Sequence, residues 1–106
     1  MAWIYLLIAG ILEIGWAIGI KYSDGFTKLF PSIVTVVMMI LSFIFLSQAL
    51  KSIPIGTGYA IWTGIGAVGT AILGIILFNE PRDFGRIFCI LLIISGLIGL
   101  KLSTTK

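Results

Sequence analysis

The chain has 106 residues, of which 59% are hydrophobic and 10% charged, with seven Lys and Arg against four Asp and Glu. That composition excludes an ordinary soluble domain, and the charges cluster at the ends of apolar runs, where they read as membrane-edge anchors and not as a nucleic-acid-binding patch. The lack of His removes imidazole chemistry, and the single cysteine, Cys89, permits neither an internal disulfide framework nor a Cys-rich metal site.

Four apolar runs, at about residues 3–20, 30–50, 55–78 and 84–100, are each long enough to cross a bilayer once. They predict an all-α integral membrane fold, a single domain over residues 1–106 with four transmembrane helices. The connections are short, which makes successive helices antiparallel neighbours.

The first run follows a stretch, Met1 to Tyr5, without a basic residue, and no small-residue cleavage site comes after it, so it is expected to be retained. Glu13 stands in its middle, close to the bilayer midplane. A charge there is costly; it is tolerated when it faces a bundle interior or watery cavity, and it then usually marks an ion, proton or substrate pathway. Helical spacing places Gly10 and Trp16 on the same face, one leaving room and the other adding an aromatic plane. Trp3 reads as an interfacial anchor.

In the second run, Pro31 suits a first helical turn, and Ser42 is the hydroxyl nearest the middle. A membrane Ser can bond its own helix backbone or cross to a partner, and both readings stand. Met39 and Phe43 lie on or near the Ser42 face and are candidates for a lateral opening to lipid. In the third run, Tyr59 and Trp62 share a face at a three-residue spacing. The interfacial belt accounts for Tyr59 better than for Trp62. Trp16 and Trp62 lie deeper than the belt, where an indole N–H needs an acceptor, and the Glu13 carboxylate is the best one available. Glu13, Ser42, Tyr59 and the two tryptophans thus make a polar network with aromatic walls, suited to a small cation. Gly64-Ile65-Gly66 lowers the cost of a mid-helix bend, although static close packing explains the pair equally well. In the fourth run, Ser95, Gly96 and Gly99 suit a helix-to-helix contact and are assigned to dimer assembly.

The side of the membrane holding the N-terminus carries Lys51, Lys101 and Lys106; the other carries Lys21, Lys28, Arg82 and Arg86. So even a distribution gives little instruction on orientation and predicts insertion both ways round. Two oppositely inserted copies would form an antiparallel, dual-topology homodimer, an inverted-repeat arrangement with both Glu13 side chains meeting near the midplane.

These residues, in this order, resemble the small multidrug resistance family of four-helix transporters over the whole chain. The resemblance is carried by Glu13, by Lys21-Tyr22-Ser23-Asp24-Gly25-Phe26, by Pro31-Ser32 and by the long block from Ile53-Pro54-Ile55-Gly56 through Trp62-Thr63-Gly64-Ile65-Gly66. It implies an antiparallel homodimer in the bacterial plasma membrane whose paired glutamates bind protons and cationic substrate in competition, giving proton-coupled export. Glu13-Ile14-Gly15-Trp16-Ala17, Trp62 through Gly69 and the ending Gly99-Leu100-Lys101-Leu102-Ser103 are similar to the guanidinium-exporter branch. Multidrug members tend to carry a small residue at the place of Trp16, and often Gly at that of Cys89. The branch also has a polar partner of the glutamate where this chain has Ser42.

On that resemblance, guanidinium is expected to bind the Glu13 carboxylate through two parallel N–H bonds. Ser42 and Trp62 would orient the carboxylate, Tyr59 would link the two halves, and Trp16 would wall the pocket. No cofactor is expected. The nearest competing reading is a broader exporter of quaternary ammonium cations, which need only charge and aromatic surface. A passive cation channel and an auxiliary membrane subunit are further alternatives. Catalysis is not expected, because a lone midplane carboxylate has neither a placed nucleophile nor a metal partner.

Overall fold

The computed structural model describes residues 1–103. They form four α-helices: α1 (Ala2–Tyr22), α2 (Leu29–Ala49), α3 (Ile55–Phe78) and α4 (Phe84–Ser103). All four are apolar and long enough to cross a membrane. The helices run past their apolar stretches where a polar or charged end can reach the interface: α1 takes in Lys21 and Tyr22, and α4 takes in Lys101, Leu102 and Ser103. A Lys in the last turn also faces the negative end of the helix dipole. Lys106, counted above with Lys51 and Lys101, lies outside the described residues.

The α1–α2 connection is held by Ser23, which is fully buried. Its hydroxyl donates to the Ile20 carbonyl at 2.7 Å and accepts from the Phe26 amide at 3.0 Å. Asp24, Gly25 and Phe26 all have positive φ, so the chain reverses in a left-handed stretch that Ser23 and the Thr27 hydroxyl, bonded to the Asp24 carbonyl, stabilise. Pro31, in the first turn of α2, gives up an amide that has no intrahelical acceptor there. Asn79, also left-handed, ends α3.

Close approach of α1 to its neighbours depends on small residues. Gly15 receives the Met38 side chain and Gly19 the Thr35 hydroxyl from α2, while Gly10 receives Ile65 from α3. On α3, Gly69 receives Ile14 from α1. Leu6, Ala9, Ala49, Ile53, Ile61 and Trp62 form the core where the start of α1 meets the α2–α3 connection. α4 packs mainly against α3 and reaches α1 near its end, where the Lys101 ammonium lies 4.8 Å from the centre of the Trp3 ring. Its only buried residue among those described is Ile90. Most other large apolar side chains face outward, as lipid allows and water would not.

Candidate functional site

Glu13 lies midway along α1 and faces α3. Its carboxylate rests on Gly66: a Cβ there would overlap Oε1, Cδ and Cγ of Glu13. Any larger residue at this buried position would displace the acid. Oε1 is buried and has no hydrogen-bond partner among the described residues. A carboxylate oxygen shielded from water and left without a protein donor is ready to receive a proton or an N–H from a ligand.

The sequence-based expectation that Ser42 and Trp62 act directly on this carboxylate needs correcting. Ser42 is fully buried on α2. Its hydroxyl donates to the Ala9 carbonyl of α1 at 2.7 Å and accepts from Trp62 Nε1 at 3.0 Å. One hydroxyl therefore joins three helices, and the Trp62 indole finds its acceptor in Ser42 instead of in Glu13. Neither own-backbone bonding by Ser42 nor a bond to the acid occurs. The connection to Glu13 is one step removed, because in α-helical geometry the Ala9 carbonyl is the acceptor for the Glu13 amide. Ser42 thus grips the turn of α1 that presents the acid. Replacing Ser42 with Ala leaves the buried Trp62 N–H without an acceptor, and the expected loss is about 1 kcal/mol of stability, read as a lower unfolding midpoint in detergent.

The aromatic residues form a line beside this bond. Tyr59 lies 5.7 Å from Trp62, Trp62 lies 5.8 Å from Phe43, and Phe43 meets Trp16 edge-on at 6.3 Å. Trp16 Nε1 is buried without a partner among the described residues and does not reach the carboxylate. Phe43 and Tyr59 are both exposed, 47% and 57%, so the line runs from the Trp16 end of α1 to the bundle surface. Met39, half-buried on α2, lies one turn from Phe43.

The two glycines read as a bend occupy an unbroken α3. Each has a packing partner: Gly64 receives Leu97 of α4, and Gly66 receives Glu13. The static reading describes this conformation. Ser95, Gly96 and Gly99 are exposed on α4. A Cβ at either glycine would meet nothing within 4 Å, so their smallness has no use inside the chain.

Glu13 also opens into a cavity of about 480 Å³ between α1 and α3 that extends to the start of α4. Thr63, Ala67, Thr70 and Ala71 line its α3 side, and Lys21, Glu80 and Arg86 stand at the far end. None of Trp16, Ser42, Tyr59 or Trp62 lines it. Thr63, Thr70, Glu80 and Arg86 were missed in the sequence-based site. The available signal was the spacing of Thr63, Gly66, Thr70 and Gly74, which places small and hydroxyl residues on one face of α3.

Known proteins match this chain over most of its length. The family model described as Small Multidrug Resistance protein matches residues 1–93. A guanidinium exporter from Yersinia pseudotuberculosis serotype I (strain IP32953) is 60% identical over 104 residues, covering 98% of this chain and 100% of the relative. Guanidinium exporters from Citrobacter freundii and Proteus vulgaris are 58% and 57% identical, covering 98% of this chain and 99% and 100% of their own lengths.

Proposed function

We propose that this chain, which belongs to the small multidrug resistance family, exports guanidinium and small guanidinyl cations in exchange for protons. It is a multi-pass protein of the bacterial inner membrane. The observation that carries the proposal is the Glu13 carboxylate, seated on Gly66 beside a cavity with its buried Oε1 unpartnered. Relatives named guanidinium exporters over nearly the whole chain support the choice of cation.

A planar guanidinium ion offers paired N–H donors to a carboxylate, and a proton removes the charge that attracts it. One acid therefore serves both ligands, and each excludes the other. Two oppositely inserted chains would bring two such acids to one site. The near-even loop charges and the unused small face of Ser95, Gly96 and Gly99 support that antiparallel homodimer. If the dimer changes its open side only when Glu13 is neutralised, protons moving in drive cations out. Trp16, one turn from Glu13 on α1, is packed edge-on against Phe43, and a fixed indole there favours a small planar substrate over a bulky one.

Guanidinium flux in proteoliposomes tests the scheme. Competition at one carboxylate requires apparent affinity to fall as pH falls, by about tenfold per unit once Glu13 is mostly protonated. An imposed proton gradient should drive guanidinium against its own gradient. Flux that ignores the proton gradient would instead indicate a channel, and equal competition by a tetraalkylammonium ion would indicate the broader cation exporter.

A further inference from the structure

The far end of the Glu13 cavity contains a second carboxylate. Glu80 follows the left-handed Asn79 that ends α3, and its amide bonds back to the Gly74 carbonyl at 3.3 Å. The chain thus folds its side chain over the helix end. A Cβ at Gly74 would overlap the Glu80 carboxylate, as one at Gly66 would overlap that of Glu13. Thr70, whose buried hydroxyl has no partner among the described residues, lies between them and lines the same cavity. Gly66, Thr70 and Gly74 succeed one another at four-residue steps, so the two glycines that seat the acids are about 12 Å apart along α3. Acid, hydroxyl and acid follow one face of one helix.

Glu80 is already bonded to a guanidinium group, that of Arg86. Arg86 Nη2 donates to Glu80 Oε1 at 2.6 Å, with the two side chains 32% and 37% exposed. Arg86 engages through this one nitrogen, and its Nε is buried without a partner among the described residues. A free guanidinium ion is not tethered, so it can present two parallel N–H groups to the same carboxylate. Lys21, the other cation lining this end, has its ammonium 5.3 Å from the centre of the Phe78 ring, which lines the cavity too.

We propose that Glu80 is a second cation-binding carboxylate, which guanidinium occupies by displacing Arg86 on its passage between Glu13 and the membrane face bearing the α3–α4 connection. This rests on the guanidinium-export reading above. Conduction past a strong site is helped by a second, weaker site near it, because the ion can leave in steps. Arg86 keeps Glu80 weak while no cation is present. Without the Glu80 charge, Lys21 and Arg86 would face an incoming cation unopposed.

Guanidinium binding and flux are measured on the purified protein and in proteoliposomes, with wild type, Glu80→Gln, Arg86→Gln and the double variant. In Glu80→Gln, affinity at Glu13 should stay within about twofold, while flux falls about tenfold or more as the attracting charge is lost. In Arg86→Gln, the freed Glu80 should add a weaker guanidinium site, filled at millimolar concentrations, and the double variant should lose that added site. Normal flux in Glu80→Gln, or no added site in Arg86→Gln, overturns the proposal. A wild type that binds no guanidinium defeats the export reading itself, which separates the two failures.

Discussion

Glu13→Gln is expected to abolish proton-coupled guanidinium transport while leaving the protein folded. Removing the negative charge replaces two charge-assisted bonds with weaker neutral contacts and puts an amide N–H where an incoming donor would sit. The affinity loss should be about 3 kcal/mol or more, roughly a hundredfold. Stability should move the other way or stay level. Oε1 is buried without a protein donor, so no intramolecular bond is broken by the change, and a half-buried ionisable group becomes neutral. Gln has the same branching and nearly the same size, so it can occupy the place above Gly66.

Two measurements on Glu13→Gln separate site from scaffold. Isothermal titration with guanidinium in weakly buffered solution should show binding and proton release for wild type and neither for the variant. The unfolding midpoint in detergent should be equal or higher. Binding within tenfold of wild type, or proton release that persists without the acid, would move the exchange site away from Glu13.

The sequence revealed the parts of this molecule that are written in composition and in rare residue types. Four apolar runs became four helices because chain in lipid must satisfy its own backbone hydrogen bonds. Glu13 was legible because an acid in such a run is costly enough to need a reason. The faces of the helices were harder to read. In a water-soluble bundle the inner side is apolar and the outer side polar, so periodicity points inward. Here lipid is as apolar as the interior, and the pattern loses that contrast. Only small and polar residues mark the inside, and their partners depend on helix rotation. Gly66 therefore read equally well as half of a bend or as a close helix contact, and its partner, the Glu13 carboxylate, was not legible. Trp62 and Ser42 stood out as polar groups in an apolar setting, yet they bond each other and Ala9 instead of Glu13. Glu80 and Arg86 read as interfacial charges because nothing local shows that Asn79 turns the chain back over Gly74.

Gly66→Ala should retain the fold and lose transport. The added methyl overlaps the Glu13 carboxylate and Cγ, but these atoms end a flexible side chain that can rotate away. Crowding of about 1–3 kcal/mol is relieved by that rotation and offset by the roughly 1 kcal/mol that Ala gains over Gly within a helix. The unfolding midpoint should therefore change little. The cost falls on geometry: a carboxylate displaced by about an ångström is no longer set for its ligand, and flux should drop about tenfold to a hundredfold. Flux within twofold of wild type would show that Gly66 does not seat the acid.

The same position distinguishes a seat from a bend. Asp is one methylene shorter than Glu, so Glu13→Asp withdraws the carboxylate from the new methyl. Each substitution alone should impair guanidinium flux. If Gly66 acts through the acid, the pair should lose less than the two separate losses combined, because the shorter side chain relieves the crowding that the methyl creates. If Gly66 acts as a bend in α3, the length of residue 13 is immaterial to it and the two losses should simply add. A double-mutant cycle on flux therefore reads whether the glycine acts through Glu13 or through the helix axis. The contact seen across α1 and α3 requires the first.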